Sequence, residues 1–145
     1  YKGAIMTRIK KTPLDLLDDI YSLAYWMTGT EGASHDLVNK TYLYANTMTR
    51  EEDLIKTLRR CYVDQFGQHT DFCIGRKNCN SNLQLVESLK QWAADIKLSV
   101  LLQEISGLKH RQISEIVGKP VETVRLWLYW GRKLLANDGQ LQASA

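Results

Sequence analysis

Residues 108–135 constrain this chain more than any other stretch. They read Leu-Lys-His-Arg-Gln-Ile-Ser-Glu-Ile-Val-Gly-Lys-Pro-Val-Glu-Thr-Val-Arg-Leu-Trp-Leu-Tyr-Trp-Gly-Arg-Lys-Leu-Leu. Ile113, Ile116 and Val117 fall at i, i+3, i+4 and give a short helix over 111–117 one apolar stripe. Gly118 supplies the left-handed residue that ends such a helix. Pro120 cannot continue it, but its fixed φ suits the first turn of a new one. Val124, Leu128, Gly131 and Leu135 then repeat at four, three and four. They predict a buried seam in which Gly131 lets a neighbouring helix come close. Glu122, Arg125, Leu126, Tyr129, Arg132 and Lys133 fall on the opposite face. The pattern is that of a helix-turn-helix, with its second helix placed to enter a DNA major groove.

Charge is distributed in the same sense. Residues 107–136 hold six basic side chains (Lys109, Arg111, Lys119, Arg125, Arg132, Lys133) against two acids (Glu115, Glu122), a net +4, while the whole chain is +3. Positive charge is therefore concentrated where a phosphate backbone would lie. A Gly-Lys-Pro turn also occurs in helical bundles that never meet DNA, so the motif alone leaves that alternative open.

The rest of the chain predicts an all-α protein of two small helical lobes. It has 145 residues, two prolines and 44% hydrophobic residues, with no apolar run of the ~18 residues a membrane span requires. Three cysteines in no disulfide-framework spacing are expected to stay reduced, in a cytoplasmic protein without membrane insertion. The five residues before Met6 are expected to be an extension without a functional part. A first helix is predicted over 14–28, with Thr12 as N-cap, Pro13 at its first position and Gly29 as its stop. Ser34 is a candidate cap for a second helix to about Met48, and Thr49 or Asp53 begins a third to Phe66. Residues 6–66 form the first lobe, 67–82 a linker, 83–136 the second lobe and 137–145 a tail. A long helix over 83–106, stopped by Gly107, opens the second lobe. Between Leu14 and Asp36 stand five acids and no Lys or Arg. Such a surface repels DNA; it is either a protein-binding face or a solvated one.

Other chemistry is weakly signalled. His69, Cys73 and Cys79 share the linker, but their spacing fits no common zinc knuckle. No nucleophile–base pair or phosphate loop is evident, so no enzyme and no cofactor is expected.

Three stretches together resemble the extracytoplasmic-function sigma factors of bacterial RNA polymerase. Leu23-Ala-Tyr-Trp-Met-Thr-Gly29 followed by Asp36-Leu-Val-Asn-Lys-Thr-Tyr-Leu-Tyr-Ala45 is similar to the family's A-x-x-x-T-G and D-L-V-Q-E-x-F-L-x-A. Leu54-Ile-Lys-Thr-Leu-Arg-Arg-Cys-Tyr-Val-Asp64 is similar to L-x-R-I-x-R-N-x-x-x-D. Residues 108–135 resemble the family's second helix-turn-helix region. The resemblance implies core RNA polymerase and promoter DNA as partners, and an anti-sigma factor as regulator. It implies polymerase contacts at Asp36, Leu37, Asn39, Lys40 and Tyr42, and minus-ten DNA contacts at Lys56, Arg59 and Arg60. Upstream-element contacts fall at Lys109, Arg111, Lys119, Glu122, Thr123, Arg125, Leu126, Tyr129, Trp130, Arg132 and Lys133.

The chain departs from the family pattern at Lys40 (an acid in the family), at Asp53 (an aromatic), in a short 42–54 segment, and at Leu126, Trp127 and Trp130 in the recognition helix. Trp127 and Trp130 are either packed against the long helix or part of an interface. The departures imply an alternative, a sigma-like module that binds a protein partner without initiating. A third reading is a dimeric helix-turn-helix regulator.

Overall fold

The computed structural model describes residues 11–70 and 87–137, and every regular element among them is an α-helix. The elements are α1 (Leu17–Thr28), α2 (Glu31–Leu43), α3 (Glu51–Phe66), the short α4 (Glu87–Lys90), α5 (Ala93–Glu104), α6 (His110–Val117) and α7 (Val121–Asn137).

Local chemistry sets the boundaries. Thr12 and Asp15 exchange the reciprocal bonds of a capping box: the Thr12 N–H donates to Asp15 Oδ2 at 3.0 Å, and the Asp15 N–H to Thr12 Oγ1 at 3.3 Å. The Thr12 N–H foremost, and the Thr12 hydroxyl after it, hold the Asp15 carboxyl below its usual pKa. The residues between form a hydrogen-bonded turn, and α1 proper begins at Leu17 rather than at 14. Gly29 ends α1 with φ 83°.

The second helix starts earlier than expected. Thr30, not Ser34, is its N-cap, accepting the Ala33 N–H at 3.2 Å. Ser34 is instead buried in the first turn, where its hydroxyl donates to the Thr30 carbonyl at 2.5 Å. The helix also stops earlier, at Leu43, because Asn46 and Thr49 close a turn: Asn46 Oδ1 accepts the Met48 N–H at 2.8 Å, and Thr49 Oγ1 accepts the Asn46 N–H at 2.9 Å. Three acids in its first turn favour α3 at that end. Thr30→Ala removes the cap of α2 and is expected to cost about 1 kcal/mol. That is a Tm lowered by about 2–4 °C in calorimetry, whereas Ser22→Ala at a non-capping position leaves Tm within a degree or so.

The predicted long helix is broken. Residues 83–86 lie outside the described residues, and α4 and α5 are separated at Gln91 and Trp92. The reason is a cap supplied from the other half of the chain. The Asp95 N–H, in the first turn of α5, donates to Gln68 Oε1 at 3.0 Å. Trp92 has no capping side chain of its own.

α5 is the central rod. Every residue from Ala93 to Leu102 is buried, so it shows almost no amphipathic contrast. α1 packs on it from the first half and α7 from the second, while α3 packs on α6. One contiguous core results, running from Leu16, Ile20 and Leu54 through Ile96 and Leu101 to Ile113 and Val124. Where α2, α3 and α5 meet, only a void of about 10 Å³ remains, at the lower limit of what holds one water. No helix among the described residues is long and apolar enough to cross a membrane.

Candidate nucleic-acid interface

α6 and α7 are joined by three residues, Gly118 to Pro120. Gly118 is left-handed at φ 72°, and the Ser114 carbonyl accepts both the Gly118 N–H at 2.9 Å and the Lys119 N–H at 3.2 Å. The Ser114 hydroxyl donates to the Lys119 carbonyl across the same turn. The Pro120 carbonyl accepts the Val124 N–H at 3.0 Å, so Pro120 stands at the edge of α7 rather than inside its first turn. Ile113, Ile116 and Val117 are buried, as their spacing predicts.

α7 has two chemically distinct faces. Val124, Leu128 and Gly131 are buried, joined by Trp127 and Leu134, which widen the predicted seam; the side chain of Leu135 lies outside the described residues. Trp127 is therefore a core residue, its ring 6.0 Å from that of Trp92. A Cβ on Gly131 would sit 2.5 Å from Val100 Cγ2, so the two helices touch at a point only glycine fits. Directly opposite the seam, Glu122, Leu126, Tyr129 and Lys133 run along the exposed side at spacings of four, three and four. Arg125 and Arg132 flank that line on one side and Trp130 on the other, all exposed; Thr123 is half-buried.

Beside α7 lies an open groove of about 700 Å³, lined by Lys109, His110, Arg111, Gln112 and Arg125 among others. Lys109 and Arg111 are exposed there, and the Lys109 N–H donates to Gln112 Oε1 at 2.9 Å. Arg125 Nε donates to His110 Nδ1 at 3.4 Å. Not every basic residue of this half faces outward unengaged. Lys119 places its ammonium 3.6 Å from the centre of the Trp92 ring, a cation–π contact that holds it to the body of the fold. Arg132 pairs with Glu104 at 3.6 Å and also bonds Gln103.

The candidate residues of the first half separate more sharply. Lys56 and Arg60 are exposed, Arg60 lying over the Tyr44 ring at 5.4 Å. Arg59 is turned inward. Its Nε and Nη2 donate to the two carboxylate oxygens of Asp95 at 2.6 and 2.9 Å, a bidentate pair joining α3 to α5. Asp95 is 1% exposed and also accepts from Gln68 Nε2 at 3.1 Å. Its hydrogen bonds hold the Arg59 guanidinium above even its usual pKa. In this packing Arg59 is thus a tie between helices, with Nε and one Nη engaged by Asp95 and its side chain only 28% exposed.

Leu37 is likewise a correction: it is fully buried against the core and offers no surface to a partner. Asp36 and Lys40 pair with each other at 3.2 Å on an exposed helix face, and Lys40 also donates to Gln65 at 3.0 Å. Asn39 is exposed beside them. Tyr42 is half-buried and donates its hydroxyl to the Pro13 carbonyl at 2.6 Å; burial pushes its pKa up, so the proton stays. Sequence reasoning missed Asp95 and Gln68 altogether. The available signal was an acid in the middle of a nearly unbroken apolar run, which demands a cationic partner.

Cys61 is half-buried, and burial first of all pushes its thiol pKa up, which leaves little thiolate at neutral pH. Cys73 and Cys79 lie outside the described residues, and among the described residues no three His, Cys, Asp or Glu side chains gather as a metal site. Comparison of the chain with protein-family models, with curated proteins and with solved structures gives no match.

Proposed function

We propose that this chain is a transcription-initiation subunit of the extracytoplasmic-function sigma type, acting in the cytoplasm, with α6 and α7 as a helix-turn-helix on duplex promoter DNA. The observation that carries the reading is the two-faced α7. One face is consumed by the core, while the other keeps Arg125, Arg132 and Lys133 exposed beside a groove edged by Lys109 and Arg111. A duplex resting on that edge would meet cationic side chains as phosphate contacts and the outward line of α7 as base contacts. The acidic stretch of α1 and α2, with exposed Asp36 and Asn39, suits a protein partner, which under this reading is core RNA polymerase, and a further inhibitory partner of the anti-sigma type.

Two measurements test it. Run-off transcription with core polymerase on a genomic promoter pool is expected to give promoter-specific transcripts; their absence would count against initiation. Duplex binding is expected to weaken steeply with salt, and Arg111→Ala to weaken it on all sequences alike while reducing the log–log salt slope by about 0.9, the share of one phosphate contact. An unchanged slope would remove Arg111 from the interface.

A second reading is favoured by Arg59. A sigma-like module that engages a protein partner without initiating needs no free minus-ten surface, and here that arginine is spent on Asp95. It predicts tight protein binding with no promoter-dependent transcript.

A further inference from the structure

The outward line of α7 is unusual for a surface that meets nucleic acid. Of its four residues, Leu126 is 50% exposed and Tyr129 is 55% exposed. Trp130, 38% exposed, borders them, its ring 5.7 Å from that of Tyr129 in a T-shaped arrangement. Lys133 lies over the Tyr129 ring at 4.9 Å. The Tyr129 ring is thus held between an aromatic edge and a cation, and loses little freedom when something is laid against it.

We infer that this ridge reads the 5-methyl groups of thymines, so that the duplex this chain prefers carries a cluster of thymines where α7 enters the major groove. The inference rests on the DNA-binding reading above and specifies its ligand. Charge selects the class of occupant: Arg125, Arg132 and Lys133 surround the apolar residues, and Lys109 and Arg111 line the adjoining groove. A polyanion with an apolar feature on its face fits both. The major groove presents donors and acceptors at every base pair, and its one apolar group is the thymine methyl. Leu126 and Tyr129 pressed on any other base edge would strip water from polar atoms and return no hydrogen bond from the leucine. Glu122, at the head of the same line, repels phosphate and so faces base edges; there it accepts from an exocyclic amino group of cytosine or adenine. The pattern along the ridge is then an amino-bearing base followed by thymines.

The experiment separates this from DNA binding in general. The full chain is used to select from random-sequence duplex DNA, and each selected duplex is rebuilt with deoxyuridine in place of thymidine. That exchange removes only the methyl groups. Selected duplexes are expected to share a thymine cluster, and affinity is expected to fall about fourfold for each contacted methyl lost, the worth of one buried CH₂. Leu126→Ala and Tyr129→Ala are expected to bind thymine and uracil duplexes alike while retaining salt-dependent binding. Equal affinity of the unaltered chain for the two forms would overturn the methyl readout and leave the DNA-binding reading standing. No duplex binding at all would overturn both and leave the ridge as a protein-docking surface.

Discussion

Arg59→Ala is expected to lower the free energy of unfolding by about 3–5 kcal/mol, a large share of what a chain of this size has. The cost arises less from the lost attraction than from what is left behind. Asp95 is 1% exposed in the first turn of the central helix, and its two oxygens are held mainly by the Arg59 fork. Without that fork, the buried Asp95 side chain keeps Gln68 Nε2 as its remaining side-chain donor among the described residues. Arg59→Lys is expected to recover only part of the loss, because an ammonium makes no bidentate pair. Asp95→Asn should cost less than Arg59→Ala, since the amide leaves no buried charge and the arginine can reach solvent. Urea unfolding of the three variants checks the order. An Arg59→Ala variant within about 0.5 kcal/mol of the parent would mean that the pair does not tie α3 to α5.

The same tie explains where the sequence was legible and where it was not. Short-range signals read correctly: Gly29 and Gly118 as helix stops, the Ile113–Val117 stripe, and the close approach at Gly131. Each depends on a few neighbouring residues and on one physical rule. Boundaries failed where a distant group decides them. A continuous helix over 83–106 is what apolar periodicity predicts, yet α5 begins at Ala93, where Gln68 from the other half caps the Asp95 amide. Arg59 lay on a basic helix face, and no local rule says that one of three neighbouring cations turns inward. Trp127 follows the same logic. Its aromatic bulk suits either an interface or the core, and the position of Trp92, thirty-five residues back, settles it. At the candidate site, exposure of the outward face of α7 was legible because it follows from the buried seam by helix geometry alone. The diversion of Lys119 onto Trp92 was not.

Gly131→Val should be nearly as damaging, and for a wholly different reason. The seam of α7 meets α5 so closely that a single Cβ would lie 2.5 Å from Val100 Cγ2 and 3.2 Å from Ile96 Cγ2. Both neighbours are β-branched and stiff at χ1, so neither can swing aside. Overpacking of this kind costs about 1–3 kcal/mol, and valine, with two further methyls, belongs at the top of that range. The gain in helix propensity over glycine, a few tenths of a kcal/mol, does not offset it. Val100→Ala alone opens a cavity and should cost on the order of 2 kcal/mol. In combination the two should cost less than their sum by about 0.5–3 kcal/mol, since the space vacated at Val100 accepts the new side chain. Strict additivity in a denaturation cycle would show that the helices do not meet at this point. The crossing also fixes how α7 is presented. If it is forced apart, the ridge of Leu126 and Tyr129 tilts relative to the groove edged by Lys109 and Arg111. At a temperature where Gly131→Val is still folded, its duplex affinity should therefore fall, and Val100→Ala should restore affinity together with stability.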